Sequence, residues 1–369
     1  AITEGAIAFL KKFIPESNVH IVFQTPNKLG QEALHQLLKR HPKISYSIWN
    51  SAKLQEAATT MQMNANEVVP EILKSFSILE ECGLIKCDVV LFNSGEHLFT
   101  YGEREQDVAL LVRLIPLLAA YNAGKKVMSF PSTFGPFKTD FSEKLFAMFA
   151  QACSHISVRE NNSKQFVAKA LQVDEKSVPA MLDPAFYMFP GIDRSKWKKD
   201  RKLVRVSVRL DNFGLRVGTE HSRATSAKYR ENNFADSESF RVYSGLISNL
   251  LKNTDLKIQL VIQTVADKKL TKTLYAHAIG EFGDAIKSRI NVRTPGSLHG
   301  YIKCIGESNL VITSRFHSVI FGYAMGIPSL GIYFKEHGHK MPGLMSIFGQ
   351  EKNCFLSSDT STETLGDMV

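Results

Sequence analysis

Short apolar segments and longer helix-like segments alternate along almost the whole of this 369-residue chain. The short segments, such as His20–Gln24 and Lys257–Gln263, have the length and composition of strands. The longer ones, such as Arg104–Asn122, have the length of helices. Regular alternation of this kind is typical of parallel sheets that are covered by helices. The sequence therefore predicts an α/β fold.

The length of the chain predicts two domains, because a single hydrophobic core rarely serves so many residues. The alternation is interrupted over Phe189–Lys202, where a proline, a glycine and several charges follow one another. We therefore expect an N-terminal Rossmann-like domain over residues 1–190, a C-terminal one over residues 203–350 and a tail over residues 351–369. Two such domains would face a ligand cleft between their strand ends.

Composition excludes several classes of protein. With 44% hydrophobic and 22% charged residues, the chain is globular and neither disordered nor fibrous. Its net charge of +9 favours anionic ligands. Most basic residues are scattered, and the dense basic cluster Arg194–Lys202 contains a single aromatic residue, Trp197. Nucleic-acid-binding surfaces usually interleave several aromatic residues with the charges, so we expect no nucleic-acid partner.

No segment of the sequence has the length and polarity of a membrane helix. The longest apolar stretch, Val108–Tyr121, is broken by Arg113 and Pro116 and is shorter than the roughly 20 residues that a spanning helix needs. The sequence begins with Ala1 rather than Met. Any membrane attachment is therefore expected to come from an N-terminal anchor that precedes Ala1.

The sequence predicts neither a metal nor a cofactor. The five cysteines have no metal-ligand spacing and are expected to be small buried hydrophobic residues. No two aspartates are separated by one residue, as they are in the metal-binding Asp-x-Asp motif of many sugar-nucleotide transferases. His337-Gly338-His339 could hold a metal, but a solvated loop is the interpretation we favour.

The segment Thr313-Ser314-Arg315-Phe316-His317 lies between the predicted strand Leu310–Ile312 and a helix predicted over Ser318–Met325. Ligands of open α/β sheets bind at such strand ends, where a helix N-terminus also favours anions. Arg315 supplies a fixed cation and His317 a titratable imidazole, which together suit an acidic substrate that exchanges a proton. Alternatively, Arg315 pairs with a carboxylate and His317 caps the helix.

Four other segments place polar residues at the ends of predicted strands. Small residues around Gly95 would let backbone amides approach a ligand closely. Arg159 and Arg209 each follow a predicted strand, and either could instead be a structural ion-pair partner. The segments are Asn93-Ser94-Gly95-Glu96-His97, Ser132-Thr133-Phe134-Gly135-Pro136-Phe137, Ser157-Val158-Arg159-Glu160 and Val206-Ser207-Val208-Arg209.

Taken in order, these segments resemble the polysaccharide pyruvyltransferase family over roughly residues 88–349. Lys340 also matches a lysine of the family pattern, whereas Asn93-Ser94-Gly95 stands where the family usually has three glycines. The strongest matches are Ser314-Arg315-Phe316-His317, Gly326-Ile327-Pro328, Gly135-Pro136, Ser157-Val158-Arg159 and Asp183-Pro184-Ala185-Phe186.

The resemblance implies a two-domain fold like that of GT-B glycosyltransferases, with phosphoenolpyruvate as donor and a galactose-containing glycan as acceptor. His317 and Arg315 are then the expected catalytic residues. The expected donor-binding residues are Arg209, Arg315, Lys340, Gly95 and Arg159. The transfer itself needs no metal.

Within the family, the chain looks most like a yeast Golgi enzyme that pyruvylates galactose on N-linked glycans. The Golgi lumen is therefore the expected location, and Asn161-Asn162-Ser163 is a possible glycosylation site. Two other functions remain open. A GT-B glycosyltransferase would use Arg315 to bind the diphosphate of a nucleotide sugar. A non-enzymatic carbohydrate-binding protein would need Arg315 and His317 only for its structure.

Overall fold

The computed structural model describes residues 1–24, 28–93, 95, 98–189, 197, 200–209, 232–334 and 340–359. The chain forms two compact units, Ala1–Met188 and Phe189–Val369. Each unit combines parallel strands with helices, so the predicted α/β fold is confirmed. Within the described residues, no helix is both long enough and apolar enough to span a membrane.

The described residues of the first unit form seven short strands in three groups. In chain order they are β1 (His20–Gln24), β2 (Ser45–Trp49), β3 (Val89–Phe92), β4 (Leu98–Thr100), β5 (Lys126–Ser129), β6 (Phe134–Phe137) and β7 (Cys153–His155). Strands β3, β5 and β7 form a parallel sheet in that order, and β1 pairs with β2 and β4 with β6, also in parallel. The α-helices of this unit are Ile2–Phe13, Lys28–Arg40, Ala52–Thr60, Ala65–Ser75, Ile78–Glu81, Arg104–Asn122, Asp140–Ala152 and Lys164–Leu171.

The helix Arg104–Asn122 lies in the core of the first unit. Nearly all of its residues from Asp107 to Ala120 are buried, on every face of the helix. A helix that is apolar all round must be enclosed by other elements, and here it packs against Asp140–Ala152 and Ala52–Thr60. The longest apolar stretch of the sequence is thus a core helix.

A buried ion pair fixes the segment that follows β7. The Arg159 guanidinium lies 2.6 Å from the Asp183 carboxylate, with both side chains almost fully buried. Arg159 Nε also donates to the Thr133 hydroxyl at 2.9 Å, and Asp183 accepts the N–H of Ala185 at 2.8 Å. Val158, the residue before Arg159, forms isolated parallel β-bridges with the two segments beside it. The pair therefore joins three loops at the carboxyl end of the three-stranded sheet.

The second unit has one six-stranded parallel sheet. Its strands are β8 (Leu203–Ser207), β9 (Lys257–Val261), β10 (Ile290–Arg293), β11 (Leu310–Thr313), β12 (Ser329–Tyr333) and β13 (Cys354–Leu356). Their order across the sheet is β10-β9-β8-β11-β12-β13, and every adjacent pair is parallel. The α-helices that the structure describes in this unit are Glu238–Asn253, Asp267–Phe282, Leu298–Gly306, Phe316–Ala324 and Lys340–Ile347.

The strand order of this sheet reverses between β8 and β11. The chain starts at β8, moves outward through β9 and β10, and then returns to the other side of β8 with β11. From β8 and from β11 the chain therefore continues to opposite sides of the sheet. Open α/β sheets bind their ligands at such a topological switch point.

Several boundaries differ from those predicted. The helix predicted to start at Ser318 starts at Phe316, so His317 lies in its first turn. It ends before Gly326 as predicted, because that glycine adopts a positive φ of 65°. The strand predicted directly before Arg159 does not form there. The ladder with β5 instead uses Cys153–His155, and Val158 makes only bridges.

Some strands were not predicted from the sequence. Strands β4 and β6 have only three and four residues, too few for an alternating pattern. Gly135 in β6 has a positive φ of 74°, and a Cβ there would lie 2.6 Å from the Phe166 ring. Part of the segment set apart as a C-terminal tail, Cys354–Leu356, is the edge strand β13.

We expect Asp183→Ala to lower the free energy of unfolding by about 3–5 kcal/mol, because Arg159 would keep a buried charge without its carboxylate. Urea denaturation measures the effect. Asp140→Ala is the matched control, because Asp140 pairs with Lys144 on the surface with 81% of its side chain exposed. That control should lose no more than about 1 kcal/mol. Equal losses in the two variants would contradict the role given to Asp183.

Candidate active site

The switch point of the second sheet carries two of the segments that the sequence singled out. Ser207 and Thr313, the last residues of β8 and β11, are register partners. Just beyond them, the N–H of Arg209 donates to the Ser314 hydroxyl at 2.7 Å, and the N–H of Ser314 donates to the Ser207 carbonyl at 3.2 Å. The structure therefore brings Arg209 and the segment after β11 together.

A series of buried hydroxyl groups that are close enough to hydrogen-bond to one another adjoins this loop. Thr313 Oγ1 accepts the N–H of Arg315 at 2.9 Å and lies 2.6 Å from the Ser207 hydroxyl. The Ser207 hydroxyl is 3.3 Å from that of Ser318, which is 2.7 Å from the Tyr301 hydroxyl. These hydrogen bonds tie β8 and β11 to the first turn of the following helix. They hold in place the loop that connects β11 to that helix.

Gln263, two residues beyond β9, completes this network. Its side-chain oxygen accepts hydrogen bonds from Ser318 at 2.8 Å and from Tyr301 at 3.3 Å. Burial raises the pKa of Tyr301 to about 12, so its hydroxyl stays protonated at neutral pH and acts as a donor. This network therefore holds the loop after β11 in position and does not provide a general base.

Arg315 is held by the segment that follows β9. Its Nη2 forms an ion pair with the buried Asp267 carboxylate and donates to the Thr264 hydroxyl at 3.1 Å. The Arg315 side chain retains 19% of its exposure, whereas Asp267 retains 1%. The carboxylate partner that the sequence analysis offered as an alternative thus exists. It engages one nitrogen of the guanidinium and leaves part of the group exposed.

His317 is half-buried in the first turn of the helix Phe316–Ala324. The residue that caps this helix is Arg315, so the alternative in which His317 is the cap is wrong. The imidazole lies between aromatic neighbours, with ring centroids 5.7 Å from Phe316 and 6.2 Å from Phe321. These contacts restrict the ring, and its place two residues after Arg315 puts it at the switch point.

Lys340 is the first residue of the helix that follows β12. Its side chain is buried, and the helix packs against β12, where Gly331 leaves room for Met341 and Met345. Arg209, Arg315 and Lys340 therefore follow β8, β11 and β12, three strands that are adjacent in the sheet. Three cationic residues therefore follow the carboxyl ends of neighbouring strands.

Gly95 and Arg159 belong to the first unit and lie close to each other. The Gly95 carbonyl accepts the N–H of Thr133 at 3.2 Å, and a Cβ at Gly95 would lie 3.3 Å from Arg159 Nη1. Arg159 is 2% exposed and paired with Asp183. This burial favours the ion-pair interpretation of Arg159 over contact with a donor. Ser94, Glu96 and His97 lie outside the described residues.

Glu160 and Ser163 form a second buried polar contact in the first unit. Burial raises the pKa of Glu160 to about 7, although hydrogen bonds from Ser163 oppose the shift. The Ser163 hydroxyl also accepts the N–H of Phe134 at 2.8 Å. Ser163 is the serine of the sequon that begins at Asn161, and in the folded chain its side chain is fully buried.

The described residues contain no group of three or more histidine, cysteine, aspartate or glutamate side chains that could hold a metal ion. His337 and His339, which were considered as possible ligands, lie outside the part of the chain that is described.

Four of the residues around the motif were not predicted from the sequence, namely Thr264, Asp267, Gln263 and Tyr301. One signal was available for the first two. Thr264 and Asp267 are three residues apart at the point where the strand β9 gives way to a helix, as in a helix start. Tyr301 lies in a different helix, and no local pattern connects it with the motif.

Two solved structures with a similar fold are described as UDP-N-acetylglucosamine 2-epimerases. A candidate UDP-N-acetylglucosamine 2-epimerase from Listeria monocytogenes aligns with a TM-score of 0.50 at 12% identity, over 95% of this chain and 85% of that chain. The UDP-GlcNAc 2-epimerase from Methanocaldococcus jannaschii gives the same score and identity, over 96% of this chain and 92% of its own. At this identity the likeness shows the fold alone, which is of the GT-B type.

Sequence comparison gives the family. No curated protein matches the chain significantly. The sequence profile of the family described as polysaccharide pyruvyl transferase matches residues 1–336, which include the switch-point segment and both cations beside it, Arg209 and Arg315. The chain therefore belongs to the polysaccharide pyruvyl transferase family.

Proposed function

We propose that this protein transfers pyruvate from phosphoenolpyruvate to a terminal galactose-type sugar of a glycan, as a cyclic ketal. One observation carries the proposal: Arg209, Arg315 and His317 lie at the topological switch point of the second sheet. Lys340 follows the next strand. Family membership supports the transfer of pyruvate to a polysaccharide. The donor and the sugar are our inference.

The charges of the site suit this donor. Phosphoenolpyruvate carries a phosphate and a carboxylate, which require cationic partners in a partly desolvated site. We assign Arg209 and Arg315 to these groups, together with the N-terminus of the helix Phe316–Ala324. The Lys340 side chain is buried, so we do not assign it to the donor. A Cβ at Gly95 would lie 2.5 Å from Ile2 Cδ1, so the absence of a side chain there makes room for Ile2, and we do not assign Gly95 to the donor. Arg159 we assign to its buried ion pair with Asp183.

The reaction needs proton transfer at two stages. Protonation of the donor methylene makes the adjacent carbon electrophilic, and one sugar hydroxyl adds to it and loses its proton. Phosphate then leaves with the C–O bonding electrons, and a second hydroxyl adds to the same carbon and loses its proton. Of these two protons, one balances the proton given to the methylene and the other leaves with the phosphate. His317 is our candidate for the acid–base group.

A single assay separates this function from the alternatives. The protein is incubated with a galactoside and either phosphoenolpyruvate or a nucleotide sugar, and the acceptor mass and released phosphate are followed. A pyruvyl ketal with one phosphate per acceptor supports the proposal. A glycosyl adduct would support a nucleotide-sugar transferase instead. Binding of the galactoside without any product would support a carbohydrate-binding protein.

For Arg315→Ala we expect weaker binding of phosphoenolpyruvate, by roughly 10- to 100-fold, because an anionic group loses a charged hydrogen bond. Isothermal calorimetry measures the affinity. Arg293→Ala is the matched control, since Arg293 ends β10 on the same sheet and is exposed. Near-normal affinity and turnover in Arg315→Ala would contradict the assignment of Arg315 to the donor site.

For His317→Gln we expect donor binding to persist while turnover falls by about 10²–10⁴-fold, the usual contribution of positioned proton transfer. His299→Gln is the matched control, because His299 is also the second residue of a helix but is exposed. A folded His317→Gln enzyme with full turnover would end the catalytic assignment.

The pH profile of the wild-type enzyme provides an independent check. Imidazole groups change protonation near neutrality, so the rate should show a limb in that region, and His317→Gln should lack it. A purely structural His317 predicts another result. The variant would then melt at a lower temperature and bind the donor more weakly, and its pH limb would be intact.

We also propose that the protein acts in the Golgi lumen, on the basis of the resemblance described above. Fluorescence microscopy of the tagged full-length protein tests this location, and Asn161→Gln tests whether the sequon is glycosylated. Because the Ser163 side chain is buried, we expect little or no glycan at Asn161. A cytosolic full-length protein would contradict the proposed location.

A further inference from the structure

Asp267 is the most deeply buried charged group beside the proposed donor site. It is the first residue of the helix Asp267–Phe282 and follows β9. One oxygen of its carboxylate contacts Arg315 Nη2, and the other accepts the N–H of Thr264 at 2.9 Å. With 1% of its side chain exposed, Asp267 has no room to rotate away from these partners.

Helix electrostatics give the two partners opposite preferences. A carboxylate is favourable at a helix N-terminus, whereas a cation is unfavourable there. Asp267 thus lies at the N-terminus of the helix Asp267–Phe282, where its negative charge is favourable. Arg315 is the N-cap residue of the helix Phe316–Ala324, where its positive charge is unfavourable, and its side chain forms no capping hydrogen bond. Burying such a pair rarely increases stability over an apolar pair of the same volume. Stability alone is therefore a poor explanation for this arrangement.

The contacts of Nη2 restrict what Arg315 can offer to a ligand. One Nη2 hydrogen faces Asp267 and the other faces the Thr264 hydroxyl. Each of the two edges by which a guanidinium forms a bidentate fork includes Nη2. While both contacts persist, Arg315 can offer a ligand only single hydrogen bonds from Nη1, because a ligand cannot reach Nε. Nε is buried, and no described residue accepts a hydrogen bond from it.

We propose that Asp267 is the positioning residue of Arg315. With Thr264, it fixes the guanidinium at the switch point, so that Arg315 meets the anionic donor through single hydrogen bonds from Nη1. The proposal rests on the donor site proposed above. It assigns to Asp267 a role that depends on Arg315 and on no direct contact between Asp267 and the donor.

The test is a double-mutant cycle on the affinity for phosphoenolpyruvate, measured by calorimetry with the full chain. The variants are Asp267→Asn, Arg315→Ala and the double variant. In the wild-type background, we expect Asp267→Asn to weaken binding about tenfold, since a charged hydrogen bond is lost with the orientation of Arg315. In the Arg315→Ala background, we expect it to leave binding unchanged or to strengthen it. Arg315 is then absent, and a negative charge beside the anion is removed.

Two further variants make the cycle decisive. Thr264→Val removes one of the two Nη2 contacts at an exposed residue, so it should fold and cause a smaller loss in the same direction. Asp284→Asn is the matched control, because Asp284 pairs with Lys287 at the surface with 76% of its side chain exposed. It should bind as the wild type does. Weaker binding on adding Asp267→Asn to Arg315→Ala would overturn the proposal, as would unchanged affinity in both Asp267→Asn and Thr264→Val.

Failure of the proposed function gives a different result. A wild-type protein that neither binds phosphoenolpyruvate nor releases phosphate from it would contradict the donor assignment. The same cycle would then be measured with inorganic phosphate. Weakening by Asp267→Asn that disappears in the Arg315→Ala background would still support Asp267 as the positioning residue of an anion-binding arginine. Additive losses, or no phosphate binding by the wild type, would overturn it.

Discussion

The parallel pairing of β8 with β11 is the constraint on which the candidate site depends. These strands form the middle of the six-stranded sheet, where their apolar residues are buried and their backbone hydrogen bonds are satisfied by neighbours. Their register places Ser207 opposite Thr313, so the two following loops emerge side by side. Because the strand order reverses at this pair, the chain continues from β8 and from β11 to opposite sides of the sheet, and open α/β sheets bind ligands at such a point.

Each unit buries an arginine–aspartate pair at the carboxyl ends of its strands, and exposure distinguishes the two. In the first unit, Arg159 and Asp183 are both enclosed, so their charges satisfy each other and hold loops together. In the second unit, Asp267 is enclosed, whereas Arg315 keeps a fifth of its surface open at the switch point. A guanidinium can meet a ligand only in the second arrangement, although both look alike as a strand followed by an arginine.

The fold of this protein is supported by similar solved structures, whereas its reaction is supported by its family. The UDP-GlcNAc 2-epimerases share its fold at 12% identity, and a fold of this type serves many reactions. The family match concerns the chain itself and identifies a pyruvyl transferase. What the site adds is a set of cations and an imidazole at one edge of a sheet. That chemistry is our reason for proposing an acidic donor that must also be protonated.

The sequence by itself determined most of the elements, because strand and helix periodicities are local. It predicted β1 and the helix Arg104–Asn122 with the bounds observed, and it placed Arg315 and His317 at a strand end. It could not choose between the structural and functional interpretations of the arginines, since burial depends on what packs against them. Strand order, the Asp267–Arg315 contact and the series of buried hydroxyl groups were decided only by the tertiary structure. They join segments far apart in the chain, and no local pattern records which distant strands become neighbours when the sheet forms.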